Sequence, residues 1–214
     1  MAIVKNGANG SFIGKVGSVV GYEWKGVAVI RGLPKVNKHR KPTVLELANR
    51  HKMRLIQAFL QPALPFVRLG FSLEAKSRNI SAFNAAMSYN KKYAFIGEYP
   101  DLSIDYYKTL LSTGSLAKPQ DVEIALADDG IAFKWNPANG DPKVRTMLLI
   151  LSEYRPLSAM MLGGATQRNG QEVLAFSCAA KSIPKGTKIH AFMAFITTMH
   201  DAISDSVYCG AIEI

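Results

Sequence analysis

The sequence predicts an α+β protein, and three observations carry that prediction. Residues 11–33 are rich in Val, Ile, Tyr and Trp and broken by glycine, which reads as β-structure. Residues 43–60 and 72–90 repeat apolar side chains at helical spacing. From Gly97 onward, short β-type runs are punctuated by Pro100, Pro119, Pro137, Pro142, Pro156 and Pro184, roughly the spacing of a β-sandwich. The expected layout is a basic, Gly-rich β-hairpin and helical region over residues 1–98, then an immunoglobulin-like or fibronectin type III-like β-sandwich over 99–214.

The stretch Gly7 to Pro34 is the most unusual part of the chain. It holds glycines at 7, 10, 14, 17, 21, 26 and 32, and the aromatics Tyr22 and Trp24. Lys25-Gly26 between two β-type runs predicts a hairpin with Gly26 at positive φ. The earlier glycines recur every three or four residues and would line a helical face, but each weakens a helix by about 1 kcal/mol against alanine. Bent or bulged strands, approached closely by another backbone, are the better expectation.

KVNKHRK (residues 35–41) reads as a basic loop. Thr43 and Glu46 then have the spacing of a capping box. Leu45, Ala48, Met53, Ile56 and Leu60 predict an amphipathic helix over 43–60 whose other face carries Arg50, Lys52 and Arg54. Pro62 and Pro65 end it, a short helix follows near 63–70, and a longer one is expected over 72–90. In the last, Ile80, Phe83, Ala86 and Met87 form a stripe suited to core packing.

Beyond residue 99 the β-type runs are LSIDYYKTLL, DVEIALADDGIAFKWN, RTMLLILSEY, SAMMLGGATQ, QEVLAFSCA, KIHAFMAFITT and SVYCGAIEI. Asp128-Asp129-Gly130 and Arg168-Asn169-Gly170 predict hairpin turns. Phe133 and Trp135 alternate with Ala132 and Lys134, which puts two large aromatics on one face.

The blocks IGKVGSVVGYEWKGVAVIRGLPK, FLQPALPFVRLGF, ISAFNAAMSYN and SVYCGAIEI together resemble an uncharacterised family of Bacteroidetes proteins. They span nearly the whole chain. The family is a domain of unknown function with no assigned catalytic residues, so the resemblance implies neither activity nor cofactor. Its usual Thr- and Gln-rich stretch before the first helix is here the looser KHRKPTVLELANRHK.

Composition narrows the function classes. With 48% hydrophobic and 20% charged residues the chain is too apolar for wholesale disorder. Its net charge of +10 is unevenly placed. Residues 1–99 hold 16 Lys and Arg against four acids, or +12, and residues 100–214 hold 10 against 12, or −2. Such asymmetry suits either an anionic partner or a solvated lysine-rich face. No stretch is apolar for long enough to span a membrane. The N-terminus lacks the apolar core of a signal peptide, so a cytoplasmic location is expected.

Catalytic and metal motifs are missing. A phosphate-binding loop around Gly14-Lys15 would need glycine at Asn9 and Ser or Thr at Val16, and the region holds no Gly-x-Gly pair. His39, His51, His190 and His200 show no ligand spacing, and Asp201 and Asp205 beside His200 read as a solvated turn. Asp128-Asp129-Gly130 lacks the later acids of a calcium loop. Gly17-Ser18 lacks the second half of a nucleophile elbow. Cys178 and Cys209 read as small buried hydrophobes, although Cys178 could reach His190 from a neighbouring strand. The expectation is a protein that is not an enzyme and holds no cofactor or metal.

Three binding readings follow. The first is protein–protein contact or self-association. The second is nucleic-acid binding through Lys15, Lys25, Arg31, Lys35, Lys38, Arg40, Lys41, Arg50 and Arg54, with Tyr22 and Trp24 as stacking faces. The third is carbohydrate recognition by the loops GGATQRNG and WNPANGDPK.

Overall fold

Positive φ at two successive residues, Lys25 (48°) and Gly26 (80°), turns the chain back on itself as the sequence predicts. That turn joins two of the four strands that open the computed structural model, which describes residues 2–4, 10–34, 40–137, 140–153, 158–175, 184 and 186–214. The strands are β1 (Ala2–Val4), β2 (Phe12–Val16), β3 (Val19–Trp24) and β4 (Val27–Gly32), paired antiparallel in the order β1-β2-β3-β4. The close approach expected at the glycines occurs at Gly21. A Cβ there would run into the Phe12 carbonyl oxygen and ring.

The chain falls into two units, Met1–Thr43 and Val44–Ile214. The sequence reading divides the chain at residues 98 and 99, whereas these compact units divide at 43 and 44. The physical reason is where the helices bury their apolar faces, which is against the later strands. Helix α1 (Val44–Leu60) contributes Ile56, Phe59 and Leu60, and α2 (Leu64–Gly70) contributes Phe66 and Val67, to one core with Met147, Leu149, Phe192 and Ile196.

The single helix expected over 72–90 is two, α3 (Ser72–Ser77) and α4 (Ala82–Tyr93). Asn79 takes a positive φ of 51° between them. Ser81 is extended, and its hydroxyl accepts the Asn84 N–H at 3.2 Å as an N-cap. Short polar side chains that bond locally favour such a break over helix continuation.

LSIDYYKTLL also departs from expectation. After the short pair β5 (Phe95–Ile96) and β6 (Ser103–Ile104) comes a 3-10 turn, Tyr106–Lys108, with the Asp105 carboxylate accepting the Tyr107 N–H at 3.1 Å. Buried Asn90 of α4 fixes the segment that follows. Its Nδ2 donates to the Leu110 carbonyl at 2.7 Å, and its Oδ1 accepts the Leu110 N–H at 2.8 Å.

The remaining strands are β7 (Glu123–Ala127), β8 (Gly130–Lys134), β9 (Val144–Ser152), β10 (Ser158–Thr166), β11 (Gln171–Ala175), β12 (Lys188–Thr197) and β13 (Val207–Glu213). They form two antiparallel sheets, β10-β9-β12-β13 and β11-β8-β7. Both central strands of the larger sheet are apolar on both faces. Met147, Leu149 and Leu151 of β9, with Phe192, Ala194 and Ile196 of β12, meet the helices. Leu148 and Ile150, with Ala191, Met193 and Phe195, meet Ile131, Phe133 and Trp135 of the smaller sheet and its flank. The fold is α+β. Trp135 lies in the second core as its alternation predicts, its indole N–H donating to the Gln167 carbonyl at 2.7 Å.

Candidate functional site

Alternation and pairing place the basic and aromatic residues of the first sheet on one face. Lys15 pairs with Val20 and Val20 with Arg31, so all three form one lateral row. Tyr22 and Trp24, two and four residues beyond Val20 on β3, point the same way. The Arg31 guanidinium stands 5.7 Å from the Tyr22 ring centroid, a cation–π contact that ties charge to ring.

This sheet buries little. Of β2, β3 and β4 only Gly21 is buried. Ile3 is 68% exposed, Ile30 61% and Val27 55%, and Val16 and Trp24 are half exposed. Strand β4 has β3 as its only described neighbour. Because the Lys25-Gly26 turn holds two residues, Trp24 and Val27 make the first hydrogen-bonded pair, and Val29 and Arg31 follow in phase. The N–H and C=O groups of Ala28, Ile30 and Gly32 therefore face the open side.

In the second unit the chemistry-bearing cluster is centred on His190 of β12. The ring is buried and stacks on Tyr106, with centroids 3.7 Å apart and planes 14° from parallel. Its Nδ1 lies 2.8 Å from the Tyr208 hydroxyl and its Nε2 lies 2.9 Å from a Glu153 carboxylate oxygen. A Tyr208 hydroxyl that donates to Nδ1 leaves Nε2–H to donate to Glu153, which satisfies a neutral imidazole at both nitrogens. Burial, chiefly, pushes the Tyr208 hydroxyl up to about 12 and the Cys209 thiol up to about 12. Neither is thereby poised as a nucleophile, because the reactive form of each is the deprotonated one. Cys178, the partner weighed for His190 in the sequence, lies outside the described residues. Asp201 accepts a hydrogen bond from Thr197, and Asp205 accepts from Thr113 and Gly114. Among the described residues no group of three His, Cys, Asp or Glu side chains could hold a metal ion.

A family model described as a family of unknown function, DUF6266, matches residues 10–210. The chain belongs to that family. No curated protein matches it. In this DUF6266 chain the match runs through both units, so strands β2 to β4 and the His190 cluster lie within the matched residues.

The nine basic residues picked from the sequence do not all fall on one element of this DUF6266 member. Lys15 and Arg31 share a row, and Lys25 sits in the turn beyond Trp24. Arg40 and Lys41 are exposed between β4 and α1, and Lys35 and Lys38 lie outside the described residues. Arg50 and Arg54 are exposed one turn apart on α1, which belongs to the other unit. The carbohydrate reading loses its aromatic, since Trp135 is buried and the loop GGATQRNG has none. Sequence reasoning missed the His190 cluster, whose members sit 18 and 37 residues from His190 along the chain. The only signal available was a histidine in the otherwise apolar run KIHAFMAFITT. Among the described residues no helix is long and apolar enough to cross a membrane.

Proposed function

We propose that this chain is a non-catalytic assembly protein that associates with a second copy of itself through the open edge of its N-terminal sheet. The observation that carries the reading is the sheet's exposure: three strands with one buried residue, Gly21, and large apolar side chains facing solvent. A small sheet gains stability by adding strands and covering its apolar face. Pairing β4 antiparallel with its copy about Ile30 would satisfy the outward groups of Ala28, Ile30 and Gly32. It would set Arg31 opposite Val29 of the second copy and keep the like charges apart. The second unit's strand order supports a fibronectin type III-like sandwich as the body that carries this sheet. Counted from β7, the first, second and fifth strands form one sheet and the third, fourth, sixth and seventh the other. This differs from the immunoglobulin constant arrangement only in the fourth strand's change of sheet.

Sedimentation of the full chain over a range of concentrations tests the proposal. Wild type is expected to dimerise, and Ile30→Lys, which places a charge at the seam, to sediment as a monomer with unchanged circular dichroism. A wild-type monomer at every concentration would refute it. A second reading, nucleic-acid binding, is favoured by the row that sets Lys15 and Arg31 on the face of Tyr22 and Trp24. It requires binding to single-stranded DNA or RNA that weakens as salt is raised, and salt-indifferent binding or none removes it.

A further inference from the structure

Apart from the assembly surface, the second unit holds a cleft between α4, the 3-10 turn at Tyr106–Lys108 and the start of β13, with a volume of 530 Å³. Its lining combines Tyr89, Lys92 and Tyr93 from α4 with Tyr107, Lys108 and Ser206 from the facing wall. The α4 residues lie three and four apart, so one helical face presents all three. The walls are held at a fixed separation by Asn90, whose two bonds to the Leu110 backbone staple α4 to the opposite side.

The chemistry of this lining is specific. Tyr89 and Tyr93 pair with ring centroids 4.9 Å apart, and the Lys92 ammonium stands 5.0 Å from the Tyr93 centroid. Across the cleft, Tyr107 is 81% exposed, yet its ring is supported edge-on against Tyr208 at 4.8 Å. Lys108 is braced by Asp105 at 3.3 Å, outside the lining. The buried Ser206 hydroxyl accepts the Leu111 and Ser112 N–H groups at 2.8 and 3.4 Å, which directs its own proton elsewhere. The lining thus offers flat rings, two ammonium groups and hydroxyls, and no carboxylate. A neutral sugar offers the two ammonium groups no negative charge. An anion that carries a planar ring is matched by the rings through stacking and by the lysines through charge. The volume is within the range of small-molecule sites.

We propose that this cleft binds a mononucleotide, its base against the tyrosines and its phosphate between Lys92 and Lys108. Calorimetric titration of the full chain with adenosine monophosphate, adenosine and inorganic phosphate tests it. Adenosine monophosphate is expected to bind with Kd below about 1 mM, and each fragment at least about tenfold more weakly. Lys92→Gln with Lys108→Gln, both side chains on the surface, should weaken the nucleotide about tenfold and leave adenosine unchanged. Tyr93→Leu should weaken the nucleotide and adenosine but not phosphate. Lys118→Gln with Lys134→Gln, both exposed and outside the cleft, should change nothing. The proposal is overturned by no binding at about 10 mM nucleotide, by phosphate binding as tightly as the nucleotide, or by equal losses from the two lysine pairs.

Discussion

Replacing Asn90 with alanine tests how the second unit is held together at its cleft. The side chain is fully buried, donating to the Ala86 carbonyl at 2.9 Å and making two bonds to the Leu110 backbone. The Ala86 carbonyl keeps its helical partner when the amide is lost, but the Leu110 N–H and carbonyl do not keep theirs. An unpaired backbone group costs about 1–3 kcal/mol when buried and less at the part-buried Leu110, so together with the small void a loss near ~3 kcal/mol is expected. Against a total of about 5–15 kcal/mol for a typical domain, that is a large fraction. Urea unfolding followed by circular dichroism should show the midpoint falling with little change in slope. Asn90→Leu separates the causes, since it refills the void without restoring the bonds and should remain nearly as unstable as Asn90→Ala. A loss under about 1 kcal/mol for alanine, or recovery by leucine, would refute the reasoning.

Two further outcomes follow from particular contacts. Tyr208 keeps its proton up to about 12 in the fold, chiefly through burial and then through Tyr107, Tyr106, Glu153 and Cys209, whereas an unfolded tyrosine titrates near 10. Its contribution to stability is complete below pH ~10 and is lost as pH rises through about 12, so wild type should weaken over that window. Tyr208→Phe should flatten the decline in urea midpoint, leaving the parts due to Cys209 and Tyr106, and equal slopes would contradict the assignment. In the first unit, Gly21→Ala places a methyl against the Phe12 carbonyl and ring and should destabilise that sheet by about 1–3 kcal/mol. Limited proteolysis should then cut within residues 10–34 sooner, with the urea midpoint of the second unit unchanged.

Local chemistry in the sequence was readable; long-range placement was not. The Lys25-Gly26 and Asp128-Asp129 turns follow from residue identity over two positions and form hairpins where expected, whereas Arg168-Asn169-Gly170 joins β10 to β11, which pair in different sheets, and so makes no hairpin. The runs RTMLLILSEY and KIHAFMAFITT read as strands, β9 and β12, and only the structure shows that both faces of each are buried. The stripe ending on α4 announced that something covers it, but not that the cover is the neighbouring helices α1, α2 and α3, whose core residues join those of β9 and β12 far along the chain. Asn79 and Ser81 broke a helix whose apolar period continued straight through them. Of the basic residues, only the pairing register could tell that Lys15 and Arg31 share a row with Val20. The His190 cluster needed four separate segments to converge, β12, β13, the 3-10 turn and the residue after β9, and no spacing rule reports that.

Strands β9 and β12 pair over nine residues, from Val144 opposite Thr197 to Ser152 opposite Ile189, across the intervening β10 and β11. That pairing sets an order of events during folding. Helices α1 to α4 can form and pack on one another through near-neighbour contacts on fast timescales, but their shared core is completed only when β9 and β12 meet. The small sheet waits on the same event from the other side. The slow step should be this long loop closure, so substitutions in the β9–β12 seam should retard folding, and substitutions in α1 or β7 should mainly hasten unfolding.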